Sequence, residues 1–274
     1  MKLITRYQIA LFFLLTIALT WAVWIPAVIA KLHGVDSPLA PTSPLGGLAR
    51  WSPGLVAVLL TAILARRAGV KALFRLGGRV NILWYAFAFF FEVGLFFAAK
   101  GIDTLLGHSY TVASPLVQVY GAQAMLMLPA VILFAVPGVL AEELGWRGFA
   151  LPGLQTRQGA LVSSLIIGLV WGIWHIPSLV YFGTSPLDIA LAVTGTIPLA
   201  ILYTWLYNNT LGSLLLVILF HFGQQLSLNL LGSWPGYTDE ILMWVIAIVV
   251  VVVNGPESLS RRHQKQDLDI RVTV

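Results

Sequence analysis

The sequence lacks cysteine altogether, which excludes disulfide bonds and thiolate chemistry. Charge is scarce as well, because Asp, Glu, Lys and Arg together make up 10% of the 274 residues, whereas 58% are hydrophobic. The mean hydropathy is +0.88, and apolar runs of about 20 residues, the length that crosses a bilayer as a helix, recur along the chain. These features predict an all-α, polytopic bundle of membrane-spanning helices.

Several catalytic motifs are absent too. The sequence contains no His-Glu-x-x-His zinc motif, and no aspartate pair lies within the apolar runs. Ser163 and Ser164 lack the context of a nucleophile elbow, and no lysine inside a predicted span could activate them. These absences argue against aspartyl, serine and His-Glu-x-x-His zinc chemistry.

Eight apolar runs are long enough to be membrane spans. No internal repeat or low-complexity tract separates them, so we predict one integral membrane domain over residues 1–274. The fourth helix is predicted to continue past Arg147. The predicted spans are 8–31, 44–65, 82–100, 123–142, 160–182, 188–207, 211–232 and 239–254.

Basic residues are distributed unevenly between the two ends of these spans. The end that holds both termini carries 13 of the 16 Lys and Arg residues, and the other end carries Lys31, Arg50 and Lys100. Because positively charged loops stay in the cytoplasm, we predict that both termini, with a basic tail over residues 255–274, are cytoplasmic in a bacterial plasma membrane. Anionic lipid headgroups account for the net charge of +5, so the predicted partner is the lipid bilayer and not a nucleic acid.

Ionisable side chains lie within or at the end of the fourth, fifth and seventh spans. Glu142, Glu143 and Arg147 lie at the end of the fourth span, and His175 and His221 lie inside the fifth and seventh. From the helical rise, Glu142, His175 and His221 lie roughly 15–20 Å from the cytoplasmic ends of their helices, so we expect one shared layer. Because an ionisable group at membrane depth is costly unless it is paired, hydrated or used, this layer is the predicted functional site, in a water-filled cavity.

The spacing of the charged residues indicates separate roles. Glu143 and Arg147 are four residues apart, which favours a helical ion pair. Glu142 is rotated by about 100° from Glu143 and is therefore free to act as a general base on a water molecule.

A polar stripe follows on the seventh span at steps of four residues, formed by His221, Gln225 and Asn229. Imidazole and amide donors suit an oxyanion, so the predicted chemistry is hydrolysis by activated water. Trp171 and Trp174 are assigned to packing or to the interfacial belt.

Three ordered motifs resemble those of the CAAX protease and bacteriocin-processing (CPBP, Abi) family, which includes the Ras-converting CAAX prenyl endopeptidase. The resemblance implies an eight-helix intramembrane protease whose site opens to the cytoplasm, with a motif-bearing core over about residues 123–232. The motifs are Glu142-Glu143-x-x-x-Arg147, Trp171-Gly-Ile-Trp-His175-Ile-Pro177 and His221-x-x-x-Gln225.

Carried over by position, the resemblance makes Glu142 the general base and Glu143 and Arg147 its support. His175 and His221 become the further catalytic or ligand residues. The third motif usually ends in Asn, and this chain has Gln225, one methylene longer, so either Gln225 or Asn229 supplies the amide that holds the oxyanion.

The cofactor and the wider function stay open at this point. Glu142, His175 and His221 could form a three-ligand zinc site with an open water position, or the glutamate could activate water without a metal. The predicted substrate is a membrane-associated peptide or a lipidated protein. The alternatives are a non-catalytic membrane scaffold or immunity protein, and a proton-coupled transporter, which ranks lower because no repeat is present.

Overall fold

The computed structural model describes residues 2–77, 79–109, 114–232 and 237–260, and every regular element in these ranges is helical. The predicted tail over residues 255–274 lies outside the described residues beyond Ser260. The eight long helices are α1 (Lys2–Leu32), α2 (Pro44–Leu73), α3 (Ile82–Leu105), α4 (Pro115–Gln155), α5 (Ala160–Tyr181), α6 (Pro186–Asn209), α7 (Leu214–Leu231) and α8 (Thr238–Asn254).

Seven of these helices, α1 to α7, are long and apolar enough to cross a membrane. Helix α8 has 17 residues, which is at the lower limit for a span. The predicted fold class, an all-α polytopic membrane bundle, is confirmed, and the crossing of α8 stays a prediction.

The helices alternate between two ends of the bundle. At the first, which we call the basic end, the guanidinium of Arg157 donates to the carbonyl of Arg6, and the amide of Leu215 donates to the carbonyl of Leu76. The second, which we call the acidic end, holds the loops before α2, α4, α6 and α8. There the Thr238 hydroxyl donates to Asp103 at 2.7 Å.

Helix α4 is less regular than the predicted span 123–142. It begins at Pro115, passes through a 3-10 turn at Gly121–Gln123, and widens into a π-helical segment over Leu144–Ala150 directly after the glutamate pair. The predicted continuation past Arg147 is confirmed, since the helix ends at Gln155. Short π-helical segments are rare and occur frequently at functional sites.

Small residues let α2 approach α4 closely. A Cβ atom on Gly54 would lie 2.8 Å from the Cα of Ala141, and one on Gly145 would lie 2.5 Å from the Cβ of Pro53. Such contacts between small residues are the usual way in which membrane helices pack backbone against backbone. They bring the start of α2 next to Glu142.

Candidate active site

The glutamate pair divides between two sets of partners. Nη1 of Arg147 donates to Oε1 of Glu143 at 2.9 Å and to Oε2 at 3.1 Å, so the predicted i,i+4 ion pair forms. Nδ1 of His221 donates to the same Oε1 at 2.8 Å. Glu143 therefore holds both the arginine and the histidine ring, and all three side chains are buried.

Aromatic rings complete the surroundings of Arg147. Its guanidinium carbon lies 3.9 Å from the ring centroid of Tyr203 and 4.7 Å from that of Trp171. Its Nε and Nη2 atoms have no hydrogen-bond partner among the described residues. The cation is therefore stabilised by one carboxylate and two π faces, which attract a desolvated guanidinium.

Glu142 has partners of its own. Its Oε2 accepts a hydrogen bond from Nε1 of Trp171 at 3.0 Å, and its Oε1 lies 3.5 Å from Nη2 of Arg50. The carboxylate is fully buried and interacts electrostatically with His175 and His221. The structure thus separates Glu142 from Arg147, as the helical spacing predicts.

Two of these partners correct the sequence interpretation. The sequence pattern assigns Trp171 to packing or the belt, but its N–H donates to Glu142. The charge distribution places Arg50 at the non-cytoplasmic end of the spans, but its side chain reaches the Glu142 carboxylate. The signals were present, because a cation seven residues into a predicted span and an indole N–H inside a motif both need partners.

His175 lies at the edge of the same layer. Its Nδ1 is 2.9 Å from the carbonyl oxygen of Trp171 and donates to it, which leaves Nε2 available. The Trp171 ring lies 5.8 Å from the ring of His175 and 5.6 Å from that of His221. The predicted shared layer of Glu142 and the two histidines is therefore present, arranged around one indole.

The amide stripe is not joined to this layer by hydrogen bonds. The side chain of Gln225 is half-buried and makes no hydrogen bond to another described residue. The amide nitrogen of Asn229 donates to the backbone carbonyl of Gln225 at 2.8 Å. An oxyanion role for either amide stays a prediction.

The zinc alternative can be compared with this geometry. Both histidines have Nδ1 held by an oxygen and Nε2 available, which is the usual arrangement around a ligating imidazole. However, within the described ranges no three His, Asp or Glu groups lie close enough to hold a metal ion. The arrangement of Glu142, His175 and His221 therefore does not fit a bound ion as it stands.

Two comparisons with known proteins give matches to this chain. The family model described as type II CAAX prenyl endopeptidase Rce1-like matches residues 123–227. CAAX prenyl protease 2 of Methanococcus maripaludis is 33% identical over 102 residues, which cover 33% of this chain and 36% of that protein. The chain thus spans about a third of the length of this curated relative. The family match covers the helices that carry the three motifs, and the match to the curated relative is of similar length.

Proposed function

With the resemblance to the CAAX protease family confirmed by the match over residues 123–227, we propose that this integral membrane protein is an endopeptidase. It hydrolyses a peptide bond of a membrane-associated or lipidated substrate. Glu142 activates the attacking water.

The two glutamates have different hydrogen-bond and ion-pair partners, and this difference is the observation that best supports the proposal. Glu143 is neutralised by Arg147 and held by His221. Glu142 accepts one hydrogen bond from Trp171 at 3.0 Å and a longer one, at 3.5 Å, from the partly exposed Arg50. Glu142 therefore accepts two hydrogen bonds and Glu143 accepts three, so Glu142 keeps more lone pairs that can accept a proton from water.

The histidines orient the water. With the ring proton on Nδ1 in each neutral imidazole, Nε2 of His175 and of His221 presents a lone pair. Water has two hydrogen atoms, so one of these imidazoles accepts a hydrogen bond from the water while Glu142 takes the other proton, and the resulting hydroxide attacks the substrate carbonyl carbon. Glu142 then delivers that proton to the amide nitrogen as the carbon–nitrogen bond breaks, so that one acid and one amine leave.

To test this proposal, the purified, detergent-solubilised protein is incubated with a library of lipidated and unmodified membrane peptides, and peptide-bond cleavage is measured. We expect both Glu142→Gln and His221→Ala to abolish cleavage. Glu142→Gln should change the melting temperature little, because it keeps the side-chain shape. The matched control is Glu257→Gln, an exposed glutamate at the basic end, which should cleave normally. A parallel series with a zinc chelator measures metal dependence, and cleavage by folded Glu142→Gln contradicts the proposal.

A second candidate is a non-catalytic membrane scaffold or immunity protein. It is favoured by Gln225, whose side chain makes no hydrogen bond to the other described site residues. Folded wild-type protein that cleaves no peptide, with its cellular phenotype unchanged by Glu142→Gln, would support this candidate.

We further propose that both termini face the cytoplasm, on the evidence of the basic residues. Arg147 pairs with Glu143 and Arg50 approaches Glu142. Within the described ranges, the remaining Lys and Arg residues divide eight to two in favour of the basic end. Such a bias orients membrane bundles with the basic end inside.

A further inference from the structure

We infer that anionic phospholipid headgroups bind residues 66–79 at the basic end, which we call the basic segment, and that this binding regulates the active site. The regulatory part of the inference rests on the proposed function, and the binding part does not. Positive charge at one end of a bundle orients a membrane protein. The contacts of the basic segment go further, because they connect a charged surface to the helices of the site.

The basic segment is a group of cations without protein partners. Its five Lys and Arg side chains are all exposed, and none of them forms an ion pair among the described residues. The only acidic side chain described at this end, Glu257, lies against Gly159 at the start of α5. Clusters of four to eight Lys and Arg residues beside a membrane span are typical binding sites for anionic lipid. The five cations are Arg66, Arg67, Lys71, Arg75 and Arg79.

The backbone and the apolar residues of the basic segment suit a membrane surface. Arg66 has φ 54° and ψ −153°, so α2 is kinked at this residue and the helix resumes over residues 67–73. A positive φ is costly for a residue with a side chain, and such positions are found at binding sites and switches. Phe74 and Leu76 are 47% and 41% exposed beside the cations. Exposed apolar and basic side chains on one short segment are typical of an element that lies in the membrane interface.

The inner side of the basic segment packs against two helices of the site. Leu73 is buried, and a Cβ atom on Gly148, in the π-helical part of α4, would lie 2.9 Å from its Cδ1. The carbonyl of Leu76 accepts hydrogen bonds from the amide of Leu215 at 2.6 Å and from the hydroxyl of Ser213 at 3.3 Å. The basic segment therefore contacts both α4 and the start of α7.

These contacts connect the lipid-binding surface to the buried cluster of the site. Gly148 directly follows Arg147, and α7 begins about two helical turns before His221. Arg147 and His221 both bind Glu143, so this cluster depends on how α4 and α7 are placed relative to each other. A ligand that binds one conformation more tightly shifts the population toward it. Headgroups bound to the packed basic segment therefore favour the arrangement of α4 and α7 that completes the cluster.

Paired removal of charge tests the binding surface. Arg67→Gln with Lys71→Gln removes two cations from the basic segment, and the control, Arg6→Gln with Lys100→Gln, removes two exposed cations elsewhere. Native mass spectrometry of the detergent-solubilised protein measures binding of phosphatidylglycerol and of zwitterionic phosphatidylcholine. Each cation near an anionic surface strengthens binding roughly fivefold, so the segment variant should bind phosphatidylglycerol roughly 25-fold more weakly. The control should bind it as the wild type does.

Three results would overturn the binding site. They are equal affinity of the wild type for the two lipids, wild-type affinity in the segment variant, and displacement of phosphatidylglycerol by soluble glycerol phosphate. The last result would assign the surface to a free phosphate compound instead of a lipid.

Amide hydrogen exchange and peptide cleavage in nanodiscs measure the regulation. With phosphatidylglycerol present, the amides of Leu144–Ala150 should exchange more slowly than in phosphatidylcholine alone, and cleavage should be faster. Both responses should be lost in the segment variant. They should also be lost in Leu73→Ala, which keeps the charges and the lipid binding but removes the contact with α4. Lipid binding by the wild type without either response would overturn the regulatory role.

The readouts separate this inference from the proposed function. Lipid binding and amide exchange require no cleavage, so a protein that shows both responses to phosphatidylglycerol but cleaves no peptide refutes the proposed function alone. A protein that cleaves equally in both kinds of nanodisc, and is inactive as Glu142→Gln, supports the proposed function and refutes regulation by lipid.

Discussion

Replacing Glu143 by Gln should destabilise the bundle strongly, because it leaves Arg147 as a buried cation without a counter-charge. The guanidinium is 0% exposed, and Glu143 is its only hydrogen-bonding partner among the described residues. Removing one member of a buried ion pair costs about 3–5 kcal/mol. At about 2–4 °C per kcal/mol for a chain of this size, the apparent melting temperature should fall by roughly 6–20 °C.

A double variant makes this prediction specific. Glu143→Gln combined with Arg147→Met removes both charges and keeps similar side-chain volumes, so it should recover much of the lost stability, since replacing both partners of a buried pair is often neutral. Thermal unfolding in detergent, followed by circular dichroism, measures both variants, with Glu257→Gln as the exposed control. Equal losses in the single and double variants would refute the reasoning, and both should lose cleavage, because His221 loses its carboxylate acceptor.

Three further changes test other contacts. Trp171→Phe keeps an aromatic ring but removes the N–H that donates to the proposed general base. The value of kcat/KM should fall roughly 10- to 100-fold, which corresponds to about 1.5–3 kcal/mol. An unchanged kcat/KM would argue against this contact. Gly54→Ala places a Cβ 2.8 Å from the Cα of Ala141 and should lower unfolding stability by about 1–3 kcal/mol, whereas the control Gly94→Ala, which meets nothing within 4 Å, should not. Glu92→Met should raise the melting temperature in the same unfolding assay by a few degrees, because Oε2 of Glu92 is buried without a hydrogen-bond partner among the described residues. A lower melting temperature would contradict this prediction.

Glu92 also shows how a sequence interpretation can pass over a residue. It is the only charged side chain inside the predicted span 82–100, apart from Lys100 at its boundary. An acidic group at that depth marks a functional or strained position by the same physical argument that singled out Glu142. Glu92 belongs to none of the three ordered motifs, so the sequence gives its depth but no partner for it.

The sequence by itself determined the features that depend on one helix. Apolar runs of bilayer length predict the long helices, because a backbone in lipid must satisfy its hydrogen bonds internally. The four-residue spacing of Glu143 and Arg147 determines their ion pair, since side chains at i and i+4 share a helix face. The depths of Glu142, His175 and His221 follow from residue counts and a constant helical rise.

Only the tertiary structure decided which partner each site residue meets on another helix. Glu143 contacts His221, which is 78 residues away in the sequence, and Glu142 contacts Arg50, which is 92 residues away. Helical periodicity contains no information about either pairing. These pairs depend on how each helix is rotated and how closely it packs, which small residues such as Gly54 permit but do not specify. Periodicity sets the face of a helix, whereas the neighbour of that face is set by the packing of the whole bundle.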